Sequence, residues 1–347
     1  MTSVSEWPAI KDRFHGAEAA ILVGNGASRA VSESFSYSSL FEVAEGMQPG
    51  LRPADIEIFQ SLGTRSFERT LAALRLAERA LLPLSKDATK LVSQHYKSIR
   101  EALAEAIHKV HIESSSCGDE LVFLPMAREL AEYGSVYSTN YDLLIYWAIN
   151  KLMETEANNR LFYDHFLNGD FEAKDYVGEA HSAGQMRTRV LFLHGALHLY
   201  TGDDGKVHKL QRSAGRGLLQ LSSVQASTSD TPLFVAEGSP RDKVHAIRQS
   251  EYLDFALRQY DDFEGPLVVF GQRLDDSDHH LLKPHVERAQ DGRKMPVAVS
   301  VRQSGKSPVA LADELRRYRD RLHPLEPVFF EATTHPLGNP HMSVDER

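Results

Sequence analysis

The stretch "ILVGNGASRA" (21–30) decides the fold. An apolar run stops abruptly at Gly24, Asn25 and Gly26, and Ala27 and Ser28 follow. The pattern predicts a buried strand over Ala19–Val23 that turns at once into a helix, the arrangement that brings a strand end up to a phosphate. The spacing is Gly24-x-Gly26-x-Ser28, and Arg29 stands where the third glycine of the dinucleotide fingerprint would fall. In the functional reading, Gly26 and Ala27 let a pyrophosphate approach backbone N–H groups, and Ser28 adds a hydroxyl donor or caps the helix. In the plain reading, the glycines only make a tight turn.

Outward from this loop the chain changes character twice. A helix is expected over Ser5–Phe14. From 35 to 115 the sequence reads as helical, with "FERTLAALRLAERALL" (67–82) and "SIREALAEAIHKV" (98–110) carrying apolar residues at three- and four-residue intervals. Met126–Tyr133 reads as a further helix stopped by Gly134. Beyond it come short β-branched runs: "SVYST" (135–139), "VLFL" (190–193), "LFVA" (233–236), "LVVF" (267–270), "VAVSV" (297–301) and "VFFEA" (328–332). Helical segments at 143–153, 250–261, 279–290 and 308–322 lie between them. Alternation of this kind predicts an α/β fold, a doubly wound, mostly parallel, Rossmann-like sheet with a helical insertion. The expected division is 1–34 with 116–332 as the nucleotide-binding unit, 35–115 as the insertion and 333–347 as a disordered tail. A hairpin is expected near 200–207 with its turn at Asp204-Gly205, and a surface loop over 213–231.

Composition narrows the function. Among 347 residues, 42% are hydrophobic and 25% charged, and the formal net charge is −9 without a long basic run. That argues against nucleic acid as the main partner. A single cysteine, Cys117, excludes a disulfide framework or a four-cysteine zinc site within one chain. No apolar stretch is long enough to span a membrane, and the polar start is wrong for a signal peptide, so a cytoplasmic location is expected.

In open parallel sheets ligands bind beyond the carboxyl ends of the strands. The residues that follow each predicted strand are therefore the candidates: Gly24 to Ser28; Asn140, Tyr141 and Asp142; His194-Gly195; Glu237-Gly238; and Gly271-Gln272-Arg273 with Asp275, Asp276 and Asp278. Gly24, Asn140, His194 and Gly271 are expected to line one cleft. Asn140 and Asp142 are also residue types that cap helices. The "DDSD" run (275–278) is expected to cap the next helix with Asp278 turned toward an adenosine ribose, and His279-His280 to be half exposed. "HGALH" (194–198) places His198 four residues after His194, but an extended segment keeps them too far apart to chelate one ion easily, so no metal is expected.

In their order these motifs resemble the sirtuin family, and most closely its bacterial sirtuin-like NAD+-consuming branch found in anti-phage defence systems. Gly24-Asn25-Gly26-Ala27-Ser28 matches the G-A-G-x-S loop, Ser138-Thr139-Asn140-Tyr141-Asp142 the T-Q-N-I-D element, His194-Gly195 the His-Gly at a strand end, and Gly271-Gln272-Arg273-Leu274 the late G-T-S-L element. The resemblance implies a sirtuin-type catalytic domain that uses NAD+ as substrate. Asn140 and His194 would be catalytic, with Gly24–Ser28, Tyr141, Asp142, Gly271, Arg273 and Asp278 binding the nucleotide. Asn140 would position the ribose or water, Asp142 the nicotinamide carboxamide, and His194 would act as base. The cysteines of the deacetylase zinc module are missing, and Arg273 replaces a serine. The implied products are nicotinamide and ADP-ribose, made by a toxic effector held in check by self-assembly or by a partner such as a ring-forming ATPase. The alternatives are an NAD+- or ADP-ribose-binding module without turnover, and a protein deacylase or ADP-ribosyltransferase.

Overall fold

The computed structural model describes residues 4–111, 119–155, 162–174, 187–202, 204–210, 231–235, 239–293 and 295–345. The expected loop at 213–231 (apart from Thr231), Cys117 and Glu237 lie outside them. Among the described residues eight strands make one sheet: β1 (Val4–Ser5), β2 (Gly16–Val23), β3 (Tyr133–Ser138), β4 (Phe162–Tyr163), β7 (Thr188–Phe192), β11 (Leu267–Phe270), β12 (Val297–Val301) and β13 (Val328–Glu331). Their order is β1-β13-β12-β11-β2-β3-β7-β4, and every pairing is parallel. Helices flank the sheet, and the fold is a doubly wound α/β fold. The strands lack an exposed face: Ala20–Val23 and Leu267–Phe270 are buried throughout, as parallel sheets covered on both sides require. From β2 the chain proceeds to β3 on one side, and from β11 to β12 on the other. The switch point, where a crevice opens at the carboxyl ends, therefore lies between β2 and β11.

Five strands form a second sheet of order β10-β8-β9-β6-β5, from β5 (Phe166–Leu167), β6 (Asp170–Phe171), β8 (Gly195–Thr201), β9 (Val207–Lys209) and β10 (Thr231–Phe234). The β8–β9 hairpin turns at Asp204-Gly205 as expected. The run "LFVA" does not join the parallel sheet; β10 pairs antiparallel with β8. A continuous apolar run marks burial on both faces but not the partner strand.

Helices Tyr37–Gly46, Pro53–Ser61, Phe67–Leu81 and Lys86–Val110 occupy the expected helical region. Ser66 and Ser85 cap the last two by accepting from the N–H groups of Arg69 and Ala88. These helices bury Phe41, Phe59, Phe67, Leu71, Ile99 and Leu103 in a core of their own, which reaches Leu143, Leu197 and Phe234 at the sheet end. No helix among the described residues is long and apolar enough to cross a membrane.

Three expectations are corrected. Ser5–Phe14 is not one helix: Val4–Ser5 pairs with β13, and two short 3-10 turns, Trp7–Ala9 and Lys11–Arg13, bury Trp7, Ile10 and Phe14. Gly134 does not stop a helix. The helix is Leu124–Leu130, and Gly134 lies within β3, where an added Cβ would fall 1.8 Å from the Ala17 carbonyl oxygen. Residues 333–345 are packed, not disordered. Three 3-10 turns between Ala332 and Met342 bury His335, Leu337 and Met342, and Asp345 accepts from Ser32 Oγ and the Glu33 N–H. These turns open on Pro336 and Pro340 and leave no helical period to read.

The segment is held by polar as well as by apolar contact. Glu129 Oε1 lies 3.0 Å from His15 Nε2 and 3.2 Å from His335 Nε2, and it accepts from Tyr133 OH at 3.0 Å. Burial pushes this carboxyl up, but the hydrogen bonds and charges of His15 and His335 prevail and hold it far below the usual carboxylate range. Truncation of fully buried Leu337 should therefore cost as much as a core position: Leu337→Ala should lose about 2–5 kcal/mol in urea denaturation. An unattached tail would leave the midpoint unchanged.

Candidate functional site

The two backbones at the switch point touch. An added Cβ on Gly26 would lie 2.5 Å from Gly271 Cα, and one on Gly24 would lie 2.1 Å from Gln272 Oε1. Gly271 has φ +67°, a conformation that favours glycine. The N–H groups are occupied as well. Gly24 N donates to Phe270 O at 2.8 Å, Gly26 N to Gly271 O at 2.9 Å, and Ala27 N to Gly24 O at 3.0 Å. The glycines thus serve the approach of two loops, and the Gly26 and Ala27 N–H groups do not face a pyrophosphate as expected. Asn25, the first residue of the short helix Asn25–Val31, donates through Nδ2 to Phe35 O at 3.1 Å.

Ser28 and Asn140 meet behind the loop. Ser28 Oγ donates to Asp142 Oδ2, and Asn140 Nδ2 donates to Ser28 Oγ at 2.9 Å. The direction is fixed by chemistry. A carboxylate only accepts, so the single hydroxyl proton of Ser28 goes to Asp142, and Oγ must accept from Asn140. The amide is thereby oriented, and Oδ1 of Asn140 is left buried without a partner among the described residues. Ser28 is neither a phosphate donor nor a cap. Asp142 also accepts from the Leu144 N–H at 2.9 Å, so it caps the helix Leu144–Thr155 while it steers Asn140.

His194, at the end of β7, is buried and stacks on His280, with ring centroids 5.2 Å apart and the two Nε2 atoms 3.0 Å apart. His280 is not half exposed: it opens the helix His279–Gln290 and points into the protein, whereas His279 faces solvent. Burial, with help from Lys243 and His280, pushes the His194 pKa well below its usual value. Burial lowers His280 to about 4, against the Asp278 carboxylate, which raises it. The side chain of Asp278 does not cap that helix, and both of its carboxylate oxygens are already taken within the protein. Its Oδ1 accepts from Lys243 Nζ at 2.7 Å and its Oδ2 from Gln272 Nε2 at 2.6 Å. Lys243, only 1% exposed, also lies 3.5 Å from Glu68 of the insertion. Burial disfavours its charge, but Glu68 and Asp278 raise its pKa above the ordinary value, so the ammonium stays charged.

Asn25, Asn140, Tyr141, Asp142, His194 and Asp278 line one cavity of about 70 Å³, roofed by Phe35, Phe67, Glu68 and Leu103 of the insertion. Gly26, Gly271 and the exposed Arg273 line a second cavity of about 480 Å³, with Ser300, Arg302 and Lys306. The side chain of Gln272 divides the two and accepts from Thr139 Oγ1 at 2.9 Å. Two adjoining cavities thus replace the single expected cleft, and Gly24 is packed against Gln272 between them.

His194, Asp278 and His280 offer ligand atoms within 4.8 Å of one another, the donor types of a two-histidine, one-carboxylate set. Lys243 opposes such use. Its ammonium already occupies the cation position on Asp278, and its charge would repel a second cation there. His198 takes no part; it stacks on Tyr146 and packs edge-on against Phe192.

Residues 21–337 match a protein-family model described as "Domain of unknown function (DUF4917)". The chain belongs to this family. No curated protein matches it. The span matched by the DUF4917 model takes in the helical insertion and both cavities, and ends on the buried Leu337.

Sequence reasoning missed Lys243, placed His280 half exposed where it is buried, and named Gln272 only as part of the loop after β11. Lys243 sits in "PRDKVHAIR" (240–248), which reads as a charged surface helix, and its burial follows only from the packing of that helix beside Asp278.

Two expectations follow. Gly26→Ala should lower stability by about 1–3 kcal/mol, because the new methyl meets backbone, not a flexible side chain. Below neutral pH the fold should weaken through its buried histidines. His280 (about 4), His198 (about 3) and His285 (about 3) bind protons in the unfolded chain from about pH 6.5 downward, but in the folded chain only near their lowered values. Stability is thus complete above about pH 6.5 and is lost as the pH falls from there toward 4; urea midpoints at pH 7.5, 6 and 5 should fall in that order.

Proposed function

We propose that the chain is an NAD+ hydrolase that cleaves the nicotinamide–ribose bond and releases nicotinamide and ADP-ribose. The observation that carries this reading is the oriented amide of Asn140, a residue that shares a cavity with His194 and whose buried Oδ1 has no partner among the described residues. Glycosidic cleavage passes through an oxocarbenium-like state, and nicotinamide leaves as a neutral molecule, so the reaction needs positioning and a base more than a strong acid. Asn140 Oδ1 accepts from a ribose hydroxyl or from the attacking water. The ring of His194, kept neutral by burial, is in the form that accepts a proton at neutral pH. The adenosine diphosphate half extends past Gln272 into the second cavity, where Arg29, Arg273, Arg302 and Lys306 exchange their carboxylate partners Glu33, Asp275 and Glu314 for phosphate. The first cavity is small beside the roughly 300–1,000 Å³ of ordinary ligand sites, so the roof from the insertion must shift for the nicotinamide end to enter. Such closure suits an effector kept inactive until self-assembly or a partner moves the insertion.

The test is nicotinamide release from NAD+ by the purified protein. Asn140→Ala and His194→Gln should lower the rate about 100- to 10,000-fold. Both sites are buried, so loss of a hydrogen-bonded group here costs about 1–3 kcal/mol, more than at a surface strand end, and thermal midpoints on the same samples separate the two effects. Ser28→Ala should lower turnover although Ser28 does not line the cavity, since it frees the Asn140 amide to rotate and takes a donor from Asp142. Near-normal turnover in His194→Gln would refute the base, and NAD+ binding without cleavage by the wild type under every partner condition would leave a binding module.

A further inference from the structure

The Nε2 atom of His280 meets His194 Nε2 at 3.0 Å, and its buried Nδ1 makes no well-formed hydrogen bond, with the Ser277 carbonyl as its neighbour. An apolar residue at this helix position would pack without that cost. The pairing also constrains His194: with Nε2 engaged by His280, Nδ1 is the nitrogen left for a substrate in the cavity that His194 lines.

We infer that His280 is the proton-receiving partner of His194, so that the two rings act as a relay across the 3.0 Å Nε2–Nε2 contact and carry the proton of the attacking water away from the reacting ribose. The chemistry rests on the NAD+ hydrolase reading; the shared proton is a property of the pair alone. In the resting state His194 carries its proton on Nε2 and donates it to Nε2 of His280. As the ribose C1′–nitrogen bond breaks, its electron pair leaves with neutral nicotinamide and the water oxygen bonds to C1′. The water proton passes to His194 Nδ1, and the Nε2 proton of His194 moves to His280. It returns to solvent as the products leave, so that NAD+ and water give nicotinamide, ADP-ribose and one proton.

The charges around the pair favour this direction. Asp278 and the Ser277 carbonyl stabilise a proton on His280, against burial, Lys243 and His279. Around His194, burial, Lys243 and His280 all act against a proton. Glu68, Tyr141 and Asp142, which line the same cavity, complete its titratable groups. His280 acts through His194 and is a positioning residue in this scheme.

The experiment combines imidazole 15N NMR with kinetics on the full chain and its His280→Phe and His280→Gln variants. In the wild type, His194 and His280 should titrate as a coupled pair, and in His280→Phe the His194 signals should move. Both variants should lower kcat on the order of 10- to 100-fold at an unchanged KM for NAD+ and shift the acid limb of the pH profile, since glutamine can hold a hydrogen bond but cannot receive the proton. Full activity in His280→Gln would overturn the relay and leave orientation alone; full activity and unmoved His194 signals in His280→Phe would leave mere packing. If His280→Phe does not fold, His280→Gln decides by the same readouts. If the wild type cleaves no NAD+, the hydrolase reading falls, and the NMR titration still decides: independent titration of the two rings overturns the pair.

Discussion

The contact between Gly26 and Gly271 is the constraint on which the rest of the site depends. At the switch point two strand ends, β2 and β11, must pass their chains in opposite directions, and the loops that follow collide unless neither carries a side chain. Their meeting closes a backbone hydrogen bond from Gly26 to Gly271 and sets Gln272 between two cavities. Gln272 reaches Thr139 on one side and Asp278 on the other, and so transmits the position of one strand end to the others. A glycine-rich loop that looks made for phosphate is here made first for backbone.

Around that contact the polar groups are ordered by donor and acceptor arithmetic. The chain from Asn140 through Ser28 to Asp142 has one possible direction, because a carboxylate cannot donate. It leaves one buried amide oxygen without a partner, on a residue that lines the cavity. Lys243 does a parallel task with charge. A buried ammonium is tolerable only among carboxylates, and Asp278 and Glu68 supply them from the sheet end and from the insertion. Removing either carboxylate would leave a buried charge with half its compensation, a far larger cost than losing an exposed ion pair such as Arg29–Glu33.

The parts legible in the sequence were those in which one residue's neighbours along the chain decide its environment. "LVVF" (267–270) and "VAVSV" (297–301) are strands because a β-branched run ends in a small or polar residue, and Asn140 and His194 could be singled out because each follows such a run. The glycines were visible, but their reason was not, since it lies in a loop more than 240 residues away along the chain. His280 and Lys243 stand in stretches whose composition says surface. Only the packing of helices Pro240–Arg248 and His279–Gln290 on one another turns them inward. The C-terminal segment was misread for a related reason: its anchors, Leu337 and Met342, act singly and not as a periodic face.

The insertion links these observations. Its core is separate, yet it extends to Leu143 and Leu197, which neighbour Asp142 and His198 at the sheet end. Two ion pairs cross from it to the helix Pro240–Arg248, Glu68 to Lys243 and Arg79 to Asp242. The buried pair leads through Lys243 directly to Asp278 beside the stacked histidines. Displacing the roof would therefore do more than widen a cavity of about 70 Å³. It would take one carboxylate from Lys243, leave Asp278 as its sole partner, and alter the field that keeps His194 and His280 neutral. Access to the cavity and the electrostatics of the stacked histidines are thus coupled through one buried lysine.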